Sequence, residues 1–180
     1  MFLAHDRMEL REQKVRHYCG AGKKPEPGIL LLLAAVNLEW TVCRAVRHLY
    51  LSSPRAELSN SELQTRIKGC SGLKKYKKLW ENEVMHVREC LQLDQIIPLW
   101  PEVREAFEAR HALVHGRGRY YSEKAARPHI EVLLQAARSL DAFCEEMGFP
   151  LHRTIPKARR KQTHARVLRW ARTEAATGPK

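Results

Sequence analysis

Acidic residues are scarce in this chain of 180 residues. Asp and Glu number 20 against 32 Lys and Arg, which gives a formal net charge of +12. A surplus of this size favours an anionic partner such as nucleic acid or an acidic membrane surface. Nine basic residues and one acidic residue fall within 152–180, so this tail carries +8 of the +12.

Cysteine is also scarce and irregularly placed. The five cysteines are odd in number and form no C-x-x-C pair. This pattern argues against a disulfide framework and fits a reducing cytoplasm. The nearest approach to a metal-binding pair is His86 with Cys90, and no second pair completes a tetrahedral site. We therefore predict no metal and no other cofactor.

Long apolar runs are missing as well. The longest runs from Ile29 to Val36 and contains eight residues, whereas a membrane-spanning helix needs about 20. The N-terminus lacks the uninterrupted apolar segment of a signal peptide. These features predict a cytoplasmic protein without a membrane partner.

Apolar residues recur at spacings of three and four, and no segment shows a two-residue alternation. This periodicity predicts an all-α fold, a bundle of about four main helices. The main helical segments are expected over 29–51, 73–91, 101–116 and 122–148, with a short helix opened by the capping box Ser59 to Glu62. We divide the chain into an N-terminal helix and Gly/Pro-rich linker (1–27), a bundle (28–150) and a basic tail, partly disordered or helical (151–180).

One segment carries residue types suited to phosphate chemistry, Ala109-Arg-His-Ala-Leu-Val-His-Gly116. Arg110 and His115 are about 140° apart on an ideal helix. Gly116 predicts a helix end, where the backbone departs from that geometry and lets the pair converge on one cleft. Spacing alone leaves an alternative open, in which the arginine caps carbonyl groups beside a hydrogen-bonded histidine.

This segment resembles the R-x4–6-H motif of the HEPN superfamily, which often reads R-N-x-apolar-apolar-H-G. The resemblance covers about residues 28–148, from a long first helix that carries Glu39 to a long final helix. It departs from the usual pattern at His111, where the family most often has Asn. The resemblance implies a helical bundle that forms a homodimer, with the two motifs facing each other across a two-fold axis.

The activity that the resemblance implies is metal-independent endoribonuclease cleavage, which leaves 2′,3′-cyclic phosphate and 5′-OH ends. His115 would be the general base or acid, and Arg110 would neutralise charge on the phosphoryl oxygens. His111 and Glu39 would support the site. The setting would be a toxin–antitoxin or phage-defence system, with RNA as substrate and an antitoxin or regulatory protein as a further partner.

Basic residues near the motif and in the tail are candidates for binding the RNA backbone. They are Lys74, Lys75, Lys77, Lys78, Arg117, Arg119, Arg159, Arg160 and Lys161. The same charges also suit a solvated helix face and a solubilising tail. Two other functions stay open: a non-catalytic nucleic-acid-binding or scaffold subunit, and the HEPN partner of a nucleotidyltransferase antitoxin. The latter class often carries Tyr two residues after the motif His, where this chain has Arg117.

Overall fold

The computed structural model describes residues 6–17, 26–116 and 122–153. Within these ranges every regular element is helical and no strand occurs, which confirms the all-α prediction. Residues 1–5, 18–25, 117–121 and 154–180 lie outside the described residues. So do five of the RNA-binding candidates, which are Arg117, Arg119, Arg159, Arg160 and Lys161.

The helices follow one another along the described ranges. In chain order they are α1 (Met8–Arg16), α2 (Pro27–Leu51), α3 (Asn60–Lys68), α4 (Leu73–Leu79), a π-helical turn (Trp80–Val84), α5 (Met85–Val87), α6 (Leu93–Ile96), α7 (Trp100–Val114) and α8 (Glu123–Glu146). The segment predicted over 73–91 is interrupted by the π-helical turn and ends four residues early. Its apolar spacing does not reveal where hydrogen bonding changes from i+4 to i+5. A HEPN-like arrangement of four helices stays a prediction.

Local signals set the ends of several helices as the sequence predicts. Ser59 and Glu62 form a complete capping box at the start of α3. The Ser122 hydroxyl accepts a hydrogen bond from the Ala125 N–H at the start of α8. The chain leaves α7 through Gly116 and α8 through Gly148, which have φ values of 64° and 82°. This left-handed backbone favours glycine, because a Cβ would strain it.

The long apolar helix α2 lies at the centre of the fold. It packs against α8, α7, α1, α3 and α4. Leu31, Leu38, Val42 and Leu49 recur along one side of α2 and are fully or almost fully buried. Since these positions follow the 3.6-residue period of a helix, burial of this side fixes the rotation of α2 about its axis. That rotation decides which α2 residues reach α7 and which remain on the outside.

By length and composition, α2 is long and apolar enough to cross a membrane. An 18-residue window within Pro27–Leu51 has a mean hydropathy of 1.7, and half of the window is buried in the bundle. The length of the longest unbroken apolar run underestimates how apolar this helix is. Asn37 and Glu39 interrupt the run, yet the mean hydropathy of the window is still 1.7. The buried half of this window is the side of α2 that packs in the core of the bundle. Cytoplasmic location stays a prediction.

The short helix α1 is attached to α2 and α8 mainly through polar groups. Arg11 has a side chain only 1% exposed. Its guanidinium donates hydrogen bonds to Asn37 Oδ1 at 3.1 Å and Thr41 Oγ1 at 2.7 Å. It also pairs with Asp141 Oδ1 at 3.4 Å and lies 4.3 Å from the ring centroid of Trp40. A buried guanidinium needs such partners, because an uncompensated buried charge is strongly unfavourable.

Two further ion pairs join α1 to α8. Arg138 donates to both carboxylate oxygens of Glu12. Arg16 donates to the two oxygens of Glu131 at 2.5 and 2.8 Å. The apolar contribution of α1 to the core comes from Met8 and Val15 alone among its described residues. The docking of α1 therefore depends on charge more than on apolar burial.

His48 on α2 makes the stability of the fold dependent on pH. Its side chain is 2% exposed, and its Nε2 has no hydrogen-bond partner in the described part of the chain. Burial, together with the nearby charges of Arg44 and Arg47, lowers the pKa of His48 from 6.5 to about 4. Between these values the unfolded chain binds a proton that the folded chain rejects. The free energy of unfolding should therefore fall as the pH falls from 6.5 towards 4.

We expect His48→Leu to remove this contribution. From pH 7 to pH 4, wild type should lose about 3 kcal/mol relative to the variant, since one pKa unit corresponds to about 1.4 kcal/mol. Urea unfolding of both proteins at several pH values measures the difference, and other titrating groups cancel in the comparison. A difference that stays constant with pH would show that His48 is not held neutral by the fold.

Candidate active site

Arg110 projects from α7 towards α2 and meets Glu39. Arg110 Nη2 lies 3.9 Å from Glu39 Oε2, and both side chains are largely buried, with exposed fractions of 27% and 17%. The contact forms because α7 packs on α2, with Leu113 close to Gly28 near the start of α2. Glu39, which the resemblance implies as a supporting residue of the site, is thus in contact with the motif arginine.

The pairing of Arg110 with Glu39 is loose. Burial raises the pKa of Glu39 above its ordinary value, and the opposing effect of the Arg110 charge is smaller. Arg110 Nε is buried and has no hydrogen-bond partner among the described residues. A guanidinium has five N–H groups, and a single ion pair at 3.9 Å does not saturate them. The terminal Nη groups of Arg110, whose side chain is 27% exposed, thus keep donors for an anionic ligand, whereas the buried Nε cannot reach one.

The two histidines of the motif lie together at the C-terminal end of α7. The ring centroids of His111 and His115 are 4.1 Å apart, with an angle of 56° between the planes. They meet because residues four apart lie on the same side of a helix. His115 is the C-cap residue, and its backbone N–H donates to the His111 carbonyl at 3.1 Å. Both side chains are exposed, so both imidazoles are open to a substrate.

The motif residues thus make two separate contacts, Arg110 with Glu39 and His111 with His115, and do not form one cluster. Arg110 faces α2, whereas His111 and His115 face solvent at the helix end. Across the described part of the chain, no hydrogen bond or ion pair joins Arg110 to His115. The convergence of guanidinium and imidazole on one cleft therefore stays a prediction.

The lysine-bearing helix α4 packs on α2 next to Glu39. Tyr76 lies next to Cys43, which is one helical turn after Glu39. Burial raises the pKa of Cys43 to about 11, so this cysteine is a neutral thiol and not a nucleophile at neutral pH. Tyr76 is buried as well. These two side chains fix α4 beside the candidate site.

Three of the four α4 lysines are available to bind an anion. Lys77 pairs with Asp94 of α6 and is already neutralised. The exposed lysines Lys74, Lys75 and Lys78 have no ion pair within the described ranges. They are exposed on α4, the helix that Tyr76 holds against α2.

The structure also identifies side chains that the sequence reasoning missed. Arg44 and Arg47 lie on α2 after Glu39, and neither has a carboxylate partner in the part of the chain that is described. The sequence feature that could have identified them is a pair of arginines three residues apart in an otherwise apolar helix. Across the described residues, no group of three or more His, Cys, Asp and Glu side chains is placed to hold a metal ion.

Comparison with family models, curated proteins and solved structures finds no match to this chain. The resemblance to the HEPN superfamily therefore depends on the motif residues themselves and on the contacts around them. The function of the chain has to be argued from the site.

Proposed function

We propose that this protein is a cytoplasmic, metal-independent endoribonuclease that cuts RNA at a composite site in a homodimer. One observation carries the proposal: Arg110 lies beside Glu39 with unused N–H donors, at the end of α7 that also exposes the imidazoles of His111 and His115. A cationic fork and a proton-transferring group are the two components that RNA transesterification requires.

The reaction follows from the chemistry of these groups. One imidazole removes the proton of the ribose 2′-OH, whose oxygen attacks the adjacent phosphorus. The bond from phosphorus to the 5′ oxygen breaks, and a second acid donates a proton to that leaving oxygen. Arg110 donates to the non-bridging oxygens while negative charge accumulates on them. DNA lacks the 2′-OH and is not a substrate for this reaction.

Within this proposal, His115 is the catalytic imidazole, while His111 and Glu39 are positioning residues. The His111 ring limits the orientations of the His115 ring by lying 4.1 Å from it. The Glu39 carboxylate holds Arg110 on the α2 side of α7. His111 can donate or accept a hydrogen bond, as can the Asn that is more usual in the resembling family.

The need for a second acid favours two copies of the chain. The base and the acid act on opposite sides of the phosphorus, because the attacking and leaving oxygens are in line. His111 and His115 are adjacent on one helix end and approach from one side. The second imidazole is therefore supplied by the motif of the partner, as the HEPN resemblance implies.

The outer side of α2 offers a surface for such a dimer. Ile29, Leu33, Val36 and Trp40 follow one another at spacings of four, three and four, and we call them the open face of α2. Ile29 is 37% and Val36 43% exposed, and the other two are half-buried. The stripe spans about 16 Å of helix and ends beside Glu39. Two copies packed through it would bury apolar surface and bring two Arg110 sites towards one axis.

The proposal is tested by incubating the full chain with single-stranded RNA in EDTA. We expect wild type to be a dimer at micromolar concentration and to cut RNA but not DNA. Val36→Asp should produce a monomer that no longer cuts, because a charge at the centre of the open face would be desolvated in the interface. Analytical ultracentrifugation and gel analysis of the RNA give the two readouts.

Leu10→Asp is the matched control. Leu10 is 44% exposed and lies on α1, so it receives the same charge outside the open face, and the dimer and the cleavage should persist. A Val36→Asp protein that remains dimeric would exclude this interface. A wild-type chain that binds RNA without cutting it would favour the non-catalytic binding subunit.

A further inference from the structure

Arg44 and Arg47 are two neighbouring positive charges without a carboxylate partner among the described residues. Five described arginines have a carboxylate within 4.0 Å, namely Arg11, Arg16, Arg66, Arg110 and Arg138. Arg7, Arg55, Arg88, Arg104, Arg127 and Arg153, like Arg44 and Arg47, have none in the described ranges. Arg44 and Arg47 are three residues apart on α2, so their side chains are neighbours on the helix surface. Like charges at this spacing repel each other. No acidic side chain among the described residues pairs with either arginine to offset this repulsion.

The observed partners of both guanidiniums are neutral. Arg44 Nε donates to the Leu151 carbonyl, and Arg44 Nη2 donates to the Arg153 carbonyl at 2.7 Å. Arg47 Nη2 donates to Asn60 Oδ1 at 3.2 Å. These bonds orient the two side chains and leave the Nη1 group of each without a protein hydrogen bond in the described part of the chain. The contacts position the charges and do not neutralise them.

The surroundings increase the positive potential. Burial and then the charge of Arg47 lower the pKa of Arg44, and no acidic residue offsets either effect. His48 lies close enough to both guanidiniums to be affected by their charges. Among the described residues, the region therefore attracts anions.

We propose that Arg44 and Arg47 form a binding site for a phosphate group on the outer side of α2. Each of the two planar guanidiniums keeps an Nη1 group without a protein hydrogen bond in the described part of the chain, and such groups can donate to the oxygens of a phosphate. Arg44 and Arg47 follow Glu39 by five and eight residues, or about 8 and 12 Å along the helix axis. The phosphate therefore belongs either to an RNA strand that extends past the candidate active site or to a free phosphate group. In the first case the identity of the ligand rests on the proposed function, although the binding itself does not require cleavage.

The test uses the full chain with the His115→Ala substitution, so that loss of cleavage and loss of binding are separate. Two probes are compared: inorganic phosphate by calorimetry at constant ionic strength, and a short single-stranded RNA without terminal phosphates by fluorescence anisotropy over a range of KCl concentrations. For RNA, Arg47→Gln should reduce the slope of log affinity against log salt by about 0.7, the value for one phosphate contact on a single strand. Arg47→Lys keeps the charge and loses the fork, so it should reduce affinity less than Arg47→Gln.

Arg104→Gln is the matched control, because Arg104 is exposed on α7 and loses the same charge away from α2. If inorganic phosphate binds saturably and Arg47→Gln abolishes this, the site accepts a free phosphate. If RNA alone responds to Arg47→Gln, the site binds the backbone of a strand. Equal effects of Arg47→Gln and Arg104→Gln on both probes would overturn the proposal. Sensitivity to Arg47→Gln in a wild-type chain that never cuts RNA would contradict the proposed function and leave this site standing.

Discussion

Arg110→Ala is expected to reduce the rate of RNA cleavage by about 10²–10³-fold or more, as removal of one charge-stabilising donor does in other enzymes. The reason is the free donor capacity of Arg110, which its contact with Glu39 at 3.9 Å does not use. Since additional negative charge accumulates on the non-bridging oxygens only in the transition state, the loss should appear mainly in kcat. Single-turnover cleavage of a defined RNA by variant and wild type measures it.

Two variants on the same helix make this result interpretable. Arg110→Lys keeps the charge but loses the planar fork, so its activity should lie between those of wild type and Arg110→Ala. Arg104→Ala removes an exposed arginine six residues earlier on α7 and should cut like wild type. Circular dichroism and sedimentation then check that the variants keep the fold and the oligomeric state of wild type. If Arg110→Ala cuts RNA as fast as wild type, Arg110 has no catalytic role.

Arg11→Ala is expected to lower the free energy of unfolding by about 3–5 kcal/mol, the usual cost of breaking a buried ion pair. Its side chain is 1% exposed, and its guanidinium donates hydrogen bonds to Asn37 and Thr41 and forms an ion pair with Asp141. Removing it leaves polar groups without their donor, and burial already raises the pKa of Asp141. Urea unfolding with linear extrapolation gives the value.

Arg7→Ala provides the comparison for Arg11→Ala. Arg7 is exposed directly before α1 and makes no side-chain capping bond, so its loss should change stability by less than about 0.5 kcal/mol. A double variant, Arg11→Met with Asp141→Leu, should recover much of the loss, because neither charge is then buried. Equal stabilities of Arg11→Ala and Arg7→Ala would show that α1 does not depend on this contact.

The helical character and several helix ends could be predicted from the sequence because their causes are local. The 3.6-residue period of α2, the capping box at Ser59 and the glycines after α7 and α8 each act over a few residues. Such signals need no knowledge of the rest of the chain.

The contacts that arrange the helices could not be predicted in the same way. Arg11 lies 26, 30 and 130 residues from Asn37, Thr41 and Asp141 in the sequence, and no spacing rule connects them. The π-helical turn Trp80–Val84 also escapes a pattern based on the regular helix. Arg44 and Arg47 have no carboxylate partner among the described residues, and only the three-dimensional structure shows this.

The candidate site was accessible from the sequence in part. The motif places His111 and His115 four residues apart, and the regular helix geometry accounts for the contact between their rings. The contact of Glu39 with Arg110 requires that α7 pack on α2 in one register, which the motif does not specify. In the proposed reaction the second imidazole comes from another copy of the chain, so the relation of Arg110 to it stays a prediction.

The most direct test of the proposed ribonuclease is the identity of the RNA ends that wild type produces in EDTA, compared with His115→Ala. Mass spectrometry of the fragments distinguishes the outcomes. The proposed reaction predicts 2′,3′-cyclic phosphate and 5′-OH ends from wild type and no fragments from His115→Ala. Fragments with 3′-OH and 5′-phosphate ends, equal cleavage by both proteins, or RNA that is bound and never cut would contradict it.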